Sequence, residues 1–208
     1  MNLERVLTLD ISTKTGYNVI TSSDEGIFLE EHGQIAKIAC PEDERYPDSF
    51  VTWAYLCYDE IEKIFDKFAP DAIVIEETAA NSKSSHSQKI LEFIHFLVAK
   101  LVKETGIKCT YIMTGVWRKE AQSTMNEEEK KHNKEVAKYK KNNKTDIAYD
   151  INGKRVGKKT KKHVAIRRAN EVFGKYFDKP LRKKDEDLCD SLMISLAYHN
   201  MRLRGLYV

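Results

Sequence analysis

Four carboxylates, spread over nearly the whole chain, are the residues best placed to do chemistry. Asp10 closes the apolar run Val6-Leu7-Thr8-Leu9, and Glu76 closes Ala72-Ile73-Val74-Ile75. Asp187 and Asp190 stand three apart where a strong amphipathic pattern begins. A carboxylate at the end of a buried apolar strand is costly unless it is paired or binds a cation. Two such strand ends, plus two acids on one helical face, bring together the oxygen donors that hard metal ions take.

The elements that must carry these acids can be read from the periodicity. Val6 to Ile11, Gly16 to Ile20 and Gly26 to Ile35 read as a three-strand meander, with a polar turn at Ser22-Ser23-Asp24-Glu25. Phe50, Trp53, Ala54, Cys57, Ile61, Ile64, Phe65 and Phe68 recur at helical spacing until Pro70-Asp71 stops them. Ala72 to Glu77 reads as a strand. Ile90, Leu91, Ile94, Leu97, Val98 and Leu101 mark a second helix ending at Gly106, and Ile107 to Met113 a further strand. Helical pattern returns near Lys162, and a final helix starts about Asp185 with Leu188, Leu192, Leu196 and His199 on one face. A meander followed by alternating helices and strands predicts an α/β sheet.

Composition narrows the class. The chain has 208 residues, enough for one good core, and is read as one domain. No apolar run approaches the ~18 residues of a membrane span, and the N-terminus lacks signal-peptide organisation. Cys40, Cys57, Cys109 and Cys189 are scattered without a CxxC pair, so they read as reduced, mostly buried thiols in a cytoplasmic setting rather than as a zinc site. Net charge is only +3, yet Arg118 to Arg168 holds 17 Lys/Arg against 7 Asp/Glu. A basic block on a mildly acidic body points to a polyanion partner, most simply nucleic acid. Within it, residues 119–160 form a lysine-rich insertion. Asp146 to Val156 reads there as two short strands around Asn152-Gly153, beside a helical segment.

Three segments carry a family resemblance. Val6 to Ile20, VLTLDISTKTGYNVI, resembles the opening of RuvC-type Holliday junction resolvases, where a strand ends in the first catalytic Asp and a D-x-S-x-x-T-G-Y hairpin follows. PDAIVIEE, from Pro70, is similar to the strand that delivers the family's Glu, with Glu76 at the matching position. DLCDSLMISLAY, from Asp187, resembles the C-terminal D-x-x-D-A-x-x-I helix. The resemblance implies an RNase H-like mixed five-stranded sheet flanked by helices, with Asp10 and Glu76 on adjacent strands and the last helix beside them. It also implies a homodimer that nicks branched DNA, leaving 5′-phosphate ends. The long basic insertion resembles phage-type members, whose setting would be the host cytoplasm.

The same resemblance assigns Asp10, Glu76, Asp187 and Asp190 as catalytic metal ligands. Four clustered carboxylates resist ionising together, and two Mg²⁺ ions, with Mn²⁺ as a substitute, remove that conflict. Asp10 is then the bridging ligand, with Glu76 and Asp190 on one ion each and Asp187 completing the set. From the residues alone, Glu77 competes with Glu76, and Asp185 and Glu186 compete with Asp187. For DNA contact, Ser12 and Lys14 lie in the loop beside Asp10, and Lys83 and Ser85 precede a helix, where backbone N–H groups suit a phosphate. Arg118 and Lys119 follow the fifth strand, with Trp117 read as packing. Lys158, Lys159, Lys161 and Lys162 precede the next helix. No aromatic stands close after Glu76, so a wedge of that kind is missing from the expected place.

Three other readings share parts of the pattern. A sugar-kinase or actin-like ATPase also has a D-x-S-x-x-T-G hairpin, but it needs a second such domain and more glycine than the nine present. A catalytically silent DNA-binding protein would use the basic insertion alone. A ribonuclease acting on RNA–DNA hybrids shares the expected fold.

Overall fold

The computed structural model describes residues 3–12, 14–36, 42–77 and 85–206, without the side chains of 85–87. The chain opens with a meander in which β1 (Glu4–Asp10) and β3 (Gly26–Gln34) both pair antiparallel with β2 (Gly16–Ser23). The unit α1 (Asp48–Phe68), β4 (Ala72–Glu76), α2 (Ser85–Thr105), β5 (Lys108–Ile112) then lays two parallel strands beside β1. The result is a five-stranded mixed sheet of order β3-β2-β1-β4-β5. Beyond it come α3 (Thr114–Glu120), α4 (Glu127–Asn142), a small hairpin of β6 (Ala148–Tyr149) and β7 (Arg155–Val156), α5 (Lys161–Phe173) and α6 (Glu186–Leu203). No helix among the described residues is long and apolar enough to cross a membrane.

Period-two alternation divides the core between the two faces of the sheet. Leu7 and Leu9 of β1, with Ile73 and Ile75 of β4, pack with Trp53 and Ile61 of α1 and Ile94 and Val98 of α2. Val6 of β1 and Val74 of β4 pack on the other side with Trp117, Phe173, Leu192 and Ile194. Both strands are therefore covered on both faces, as strands of a parallel α/β sheet must be. The same parity carries on past the apolar runs. Asp10 continues the Val6-Thr8 face and Glu76 the Ala72-Val74 face, so both acids belong to the side that α6 covers.

Local chemistry sets the element ends. α1 stops where Ala69 turns left-handed at φ 41°, its N–H returning to the Phe65 carbonyl at 2.8 Å just before Pro70. Asn126 with Glu129, and Thr160 with His163, close reciprocal caps on α4 and α5. The helix and hairpin expected within the insertion are present as α4 and β6–β7. Gly153 takes φ 73° in the connecting turn, a conformation that suits glycine. One helix had no counterpart in the sequence reading: α3, which buries Trp117 completely.

Candidate active site

Strand register brings Asp10 and Glu76 together. Leu9 of β1 pairs with Ile75 of β4 in parallel, so the next residues of the two strands emerge side by side at the carboxyl edge of the sheet. Burial raises the Asp10 pKa well above the usual carboxylate value, and the charges of Glu76, Asp190 and Asp187 add to that, against the pull of Lys162. Glu76 accepts a hydrogen bond from the Thr114 hydroxyl at the start of α3. Glu77, by contrast, is exposed, and its backbone N–H extends the pairing with β5 by donating to the Ile112 carbonyl at 3.0 Å.

The third and fourth acids arrive on α6, and a glycine lets them come close. Gly16 of β2 pairs with Asp10 across the first hairpin. A Cβ at Gly16 would overlap the Asp187 carbonyl and lie 2.8 Å from the Leu188 amide nitrogen. Only a bare backbone permits the first turn of α6 to seat there. Further along, Asn18 donates to the Ser191 hydroxyl at 3.2 Å, Ser22 bonds the His199 ring at 2.9 Å, and the Tyr198 hydroxyl donates to Glu4 at 2.9 Å. These polar links fix α6 lengthwise along β2 and β1, which a uniformly apolar interface would not do.

The electrostatics are those of a crowded anionic site. Asp190 is 7 % exposed, and its pKa is pushed up to about 6, by burial first, with Arg118 pulling the other way and Glu76 adding to the rise. One Asp190 carboxylate oxygen is buried without a hydrogen-bond partner. Burial also raises Asp187, against the pull of Lys162. Lys162 reaches the acids from α5, 2.8 Å from Glu186 and 3.9 Å from Asp187. Burial works against its ammonium, but the bond to Glu186 and the charges of Glu186, Asp187 and Asp190 together outweigh that and raise its pKa. Arg118 lies 3.9 Å from Asp190, with its guanidinium 4.2 Å from the Trp117 ring centroid.

These contacts sort the candidates. Asp10, Glu76, Asp187 and Asp190 converge, with Lys162 and Arg118 against them, and Lys14 acts on Asp187 through its charge. Glu186 is the partner of Lys162, while Asp185 accepts from the Arg182 amide at 2.9 Å and so belongs to the turn before α6. Ser12 spends its hydroxyl on the Lys14 amide, inside its own loop. Lys119, Lys158, Lys159 and Lys161 are exposed, and the Lys159 backbone is held by Asn133 of α4. Lys83 lies outside the described residues, as does the side chain of Ser85. Thr114 and Gly16 were missed as functional positions. Only the T-G pair of the hairpin motif hinted at Gly16, and no local signal marks Thr114.

No protein-family model matches the chain, and no curated protein matches it in sequence. Solved structures do match it. Thermus thermophilus RuvC in complex with Holliday junction substrate superposes with a TM-score of 0.60 at 12% identity, covering 97% of this chain and 96% of that one. The yeast mitochondrial Holliday junction resolvase Ydc2 gives 0.57 at 11% identity, covering 97% and 81%. The fold is that of the RuvC-type resolvases. In this RuvC-like fold the acids occupy the carboxyl edge of the central strands, where α/β sheets commonly hold their sites.

The donor set fits hard divalent ions, since all four groups offer oxygen, they repel one another when ionised, and Asp190 has an oxygen left unpartnered. Among the described residues no group of three His, Cys, Asp or Glu side chains is placed to hold a metal ion. Lys162 and Arg118 supply the compensating charge in this arrangement.

Proposed function

We propose that the chain is a structure-selective endonuclease, a crossover junction endodeoxyribonuclease that nicks branched DNA such as Holliday junctions or replication forks. The observation that carries this reading is the convergence of Asp10, Glu76, Asp187 and Asp190 on one sheet edge, faced by Lys162 and Arg118. The four acids would hold two Mg²⁺ ions, Mn²⁺ substituting. Bound ions supply an activated water and stabilise charge on the attacking and leaving oxygens of a phosphodiester.

The protein's own groups then have distinct tasks. Thr114 fixes the orientation of Glu76, leaving its second oxygen for a ligand. Trp117, buried under Arg118, limits where that guanidinium can go. Lys162, with a side chain 48% exposed, can exchange the carboxylates for a DNA phosphate once other cations neutralise the acids. Lys14, Lys119, Lys158, Lys159 and Lys161 would contact the DNA backbone without reading sequence. Paired nicks on a two-fold branch call for two sites, so the proposal includes a homodimer.

The test is cutting of labelled four-way junction, fork, linear duplex and RNA–DNA hybrid, each with Mg²⁺ and with EDTA. The proposal expects metal-dependent nicks in the branched DNAs only. Equal cutting of duplex would overturn structure selectivity, and preference for the hybrid would favour a ribonuclease. Binding without cutting in Mg²⁺ or Mn²⁺ would leave a silent DNA-binding protein.

A further inference from the structure

The cleft between α4 and the β6–β7 hairpin lies apart from the acids. It has a volume of about 410 Å³ and is lined by Val136, Tyr139, Tyr149, Ile151 and Val156, with Glu135 at its rim. Its apolar surface is unusually open: Tyr139 is 37% exposed, Tyr149 44% and Ile151, at the hairpin tip, 100%. Large apolar side chains placed so openly need a partner or carry a solubility cost. Two tyrosines beside such a space offer π-faces, and every nucleobase has a π-face to lay on them.

The surroundings favour DNA over an apolar protein surface. Residues 130–160 hold 11 Lys/Arg against three acids. One of those acids, Asp150, is occupied within the hairpin, accepting from the Asn152 and Lys154 amides at 2.9 Å. Glu135 keeps its carboxylate for the rim, where it can accept from a base amino group. The unit is also tied to the acid site. His132 bonds the Gly157 carbonyl at 2.9 Å and Asn133 donates to the Lys159 carbonyl at 2.9 Å, so the strand leaving the hairpin runs directly to Lys162. Lys162 lies six residue steps beyond Val156, at most about 21 Å of extended chain. That is about six nucleotide steps of a duplex strand.

We propose that this cleft receives an unstacked base of the branched substrate, within about six nucleotides of the cut, between Tyr139 and Tyr149 and against Ile151. The insertion thereby provides the opening element that the segment after Glu76 does not supply in aromatic form. The inference rests on the nuclease reading and names the part of its substrate that the insertion holds.

The experiment places 2-aminopurine at successive positions within six nucleotides of a four-way junction's branch point and titrates in the Asp10→Asn protein, which the nuclease reading expects to hold DNA without cutting it. A fluorescence change at one or two positions is expected. Adding Tyr149→Ala or Ile151→Ser should abolish it and weaken junction binding by about 5- to 150-fold, the worth of one stacked base. Duplex affinity should change less than twofold, and Tyr149→Phe should retain both signals. Circular dichroism checks that these exposed substitutions leave the fold intact. If the variants bind the junction as tightly as their parent with the signal unchanged, the inference is overturned while the nuclease reading stands. If the unsubstituted protein neither binds nor cuts any DNA, the nuclease reading falls and takes this one with it.

Discussion

Replacing Asp190 by Asn should make the metal-free protein more stable at neutral pH, although it removes a proposed ligand. Burial, partly opposed by Arg118, lifts the Asp190 pKa from 3.8 to about 6. At about 1.4 kcal/mol per pKa unit, keeping this carboxylate ionised costs the native state about 3 kcal/mol. Because that shift is net of Arg118's pull, the loss of the Arg118 contact is already inside this figure, which is an upper bound. A net stabilisation of about 1–3 kcal/mol remains, or ~2–10 °C in Tm for a chain of this size. The pH dependence follows from the raised pKa. The native carboxyl binds a proton that the unfolded one has lost between pH 3.8 and about 6, so the wild type loses stability as pH rises through that window. The Asn variant lacks this contribution and keeps only those of the other acids with raised pKa values, Asp10 and Asp187. Thermal unfolding in EDTA from pH 4 to 8 should therefore show the two curves together at the acid end and separated above pH 7. At pH 8, Mg²⁺ at 100 times its Kd should restore about 2.7 kcal/mol to the wild type and much less to the variant. A variant less stable than wild type at pH 8 in EDTA, or a difference that ignores pH, would refute the reasoning.

Two further outcomes follow from the packing and the charge. Gly16→Ala places a methyl group against the Asp187 carbonyl, so α6 must shift; a loss of about 1–3 kcal/mol in urea unfolding is expected, with weaker Mn²⁺ binding. An unchanged unfolding midpoint would show that α6 is not seated on Gly16. Changing Lys158, Lys159, Lys161 and Lys162 together to Gln should weaken junction binding and reduce the slope of log K against log salt by about 0.9 for each lysine that meets a phosphate. An identical slope would remove this cluster from the interface.

Much of the architecture was legible because it is encoded locally. Short apolar runs and helical repeats ending at Pro70 and Gly106 suffice to order the elements along the chain, whereas the strand order within the sheet came only with the family resemblance. Asp10 and Glu76 stood out because each ends such a run. The choice between Glu76 and Glu77 was not legible, since a strand buried on both faces shows no alternation in its sequence. The face became visible only once Val74 was seen to pack with α6 and Ile75 with α1 and α2. α3 escaped notice because seven residues are too short to establish a helical period. The meeting of Gly16 with Asp187, and of Lys162 with Glu186, joins residues far apart in sequence and has no local signature. Lys162 could be picked from its neighbours Lys158, Lys159 and Lys161 only after α5 was laid beside α6.

The most direct measurement is a paired assay of Asp10→Asn and wild type on one labelled four-way junction in Mg²⁺, scoring nicking and binding in the same samples. The substitution removes a charge from the centre of the acid cluster while barely changing its shape. Complete loss of nicking with junction affinity retained is the predicted result. Nicking that survives in Asp10→Asn at the wild-type rate would contradict the assignment of this acid cluster as the catalytic centre.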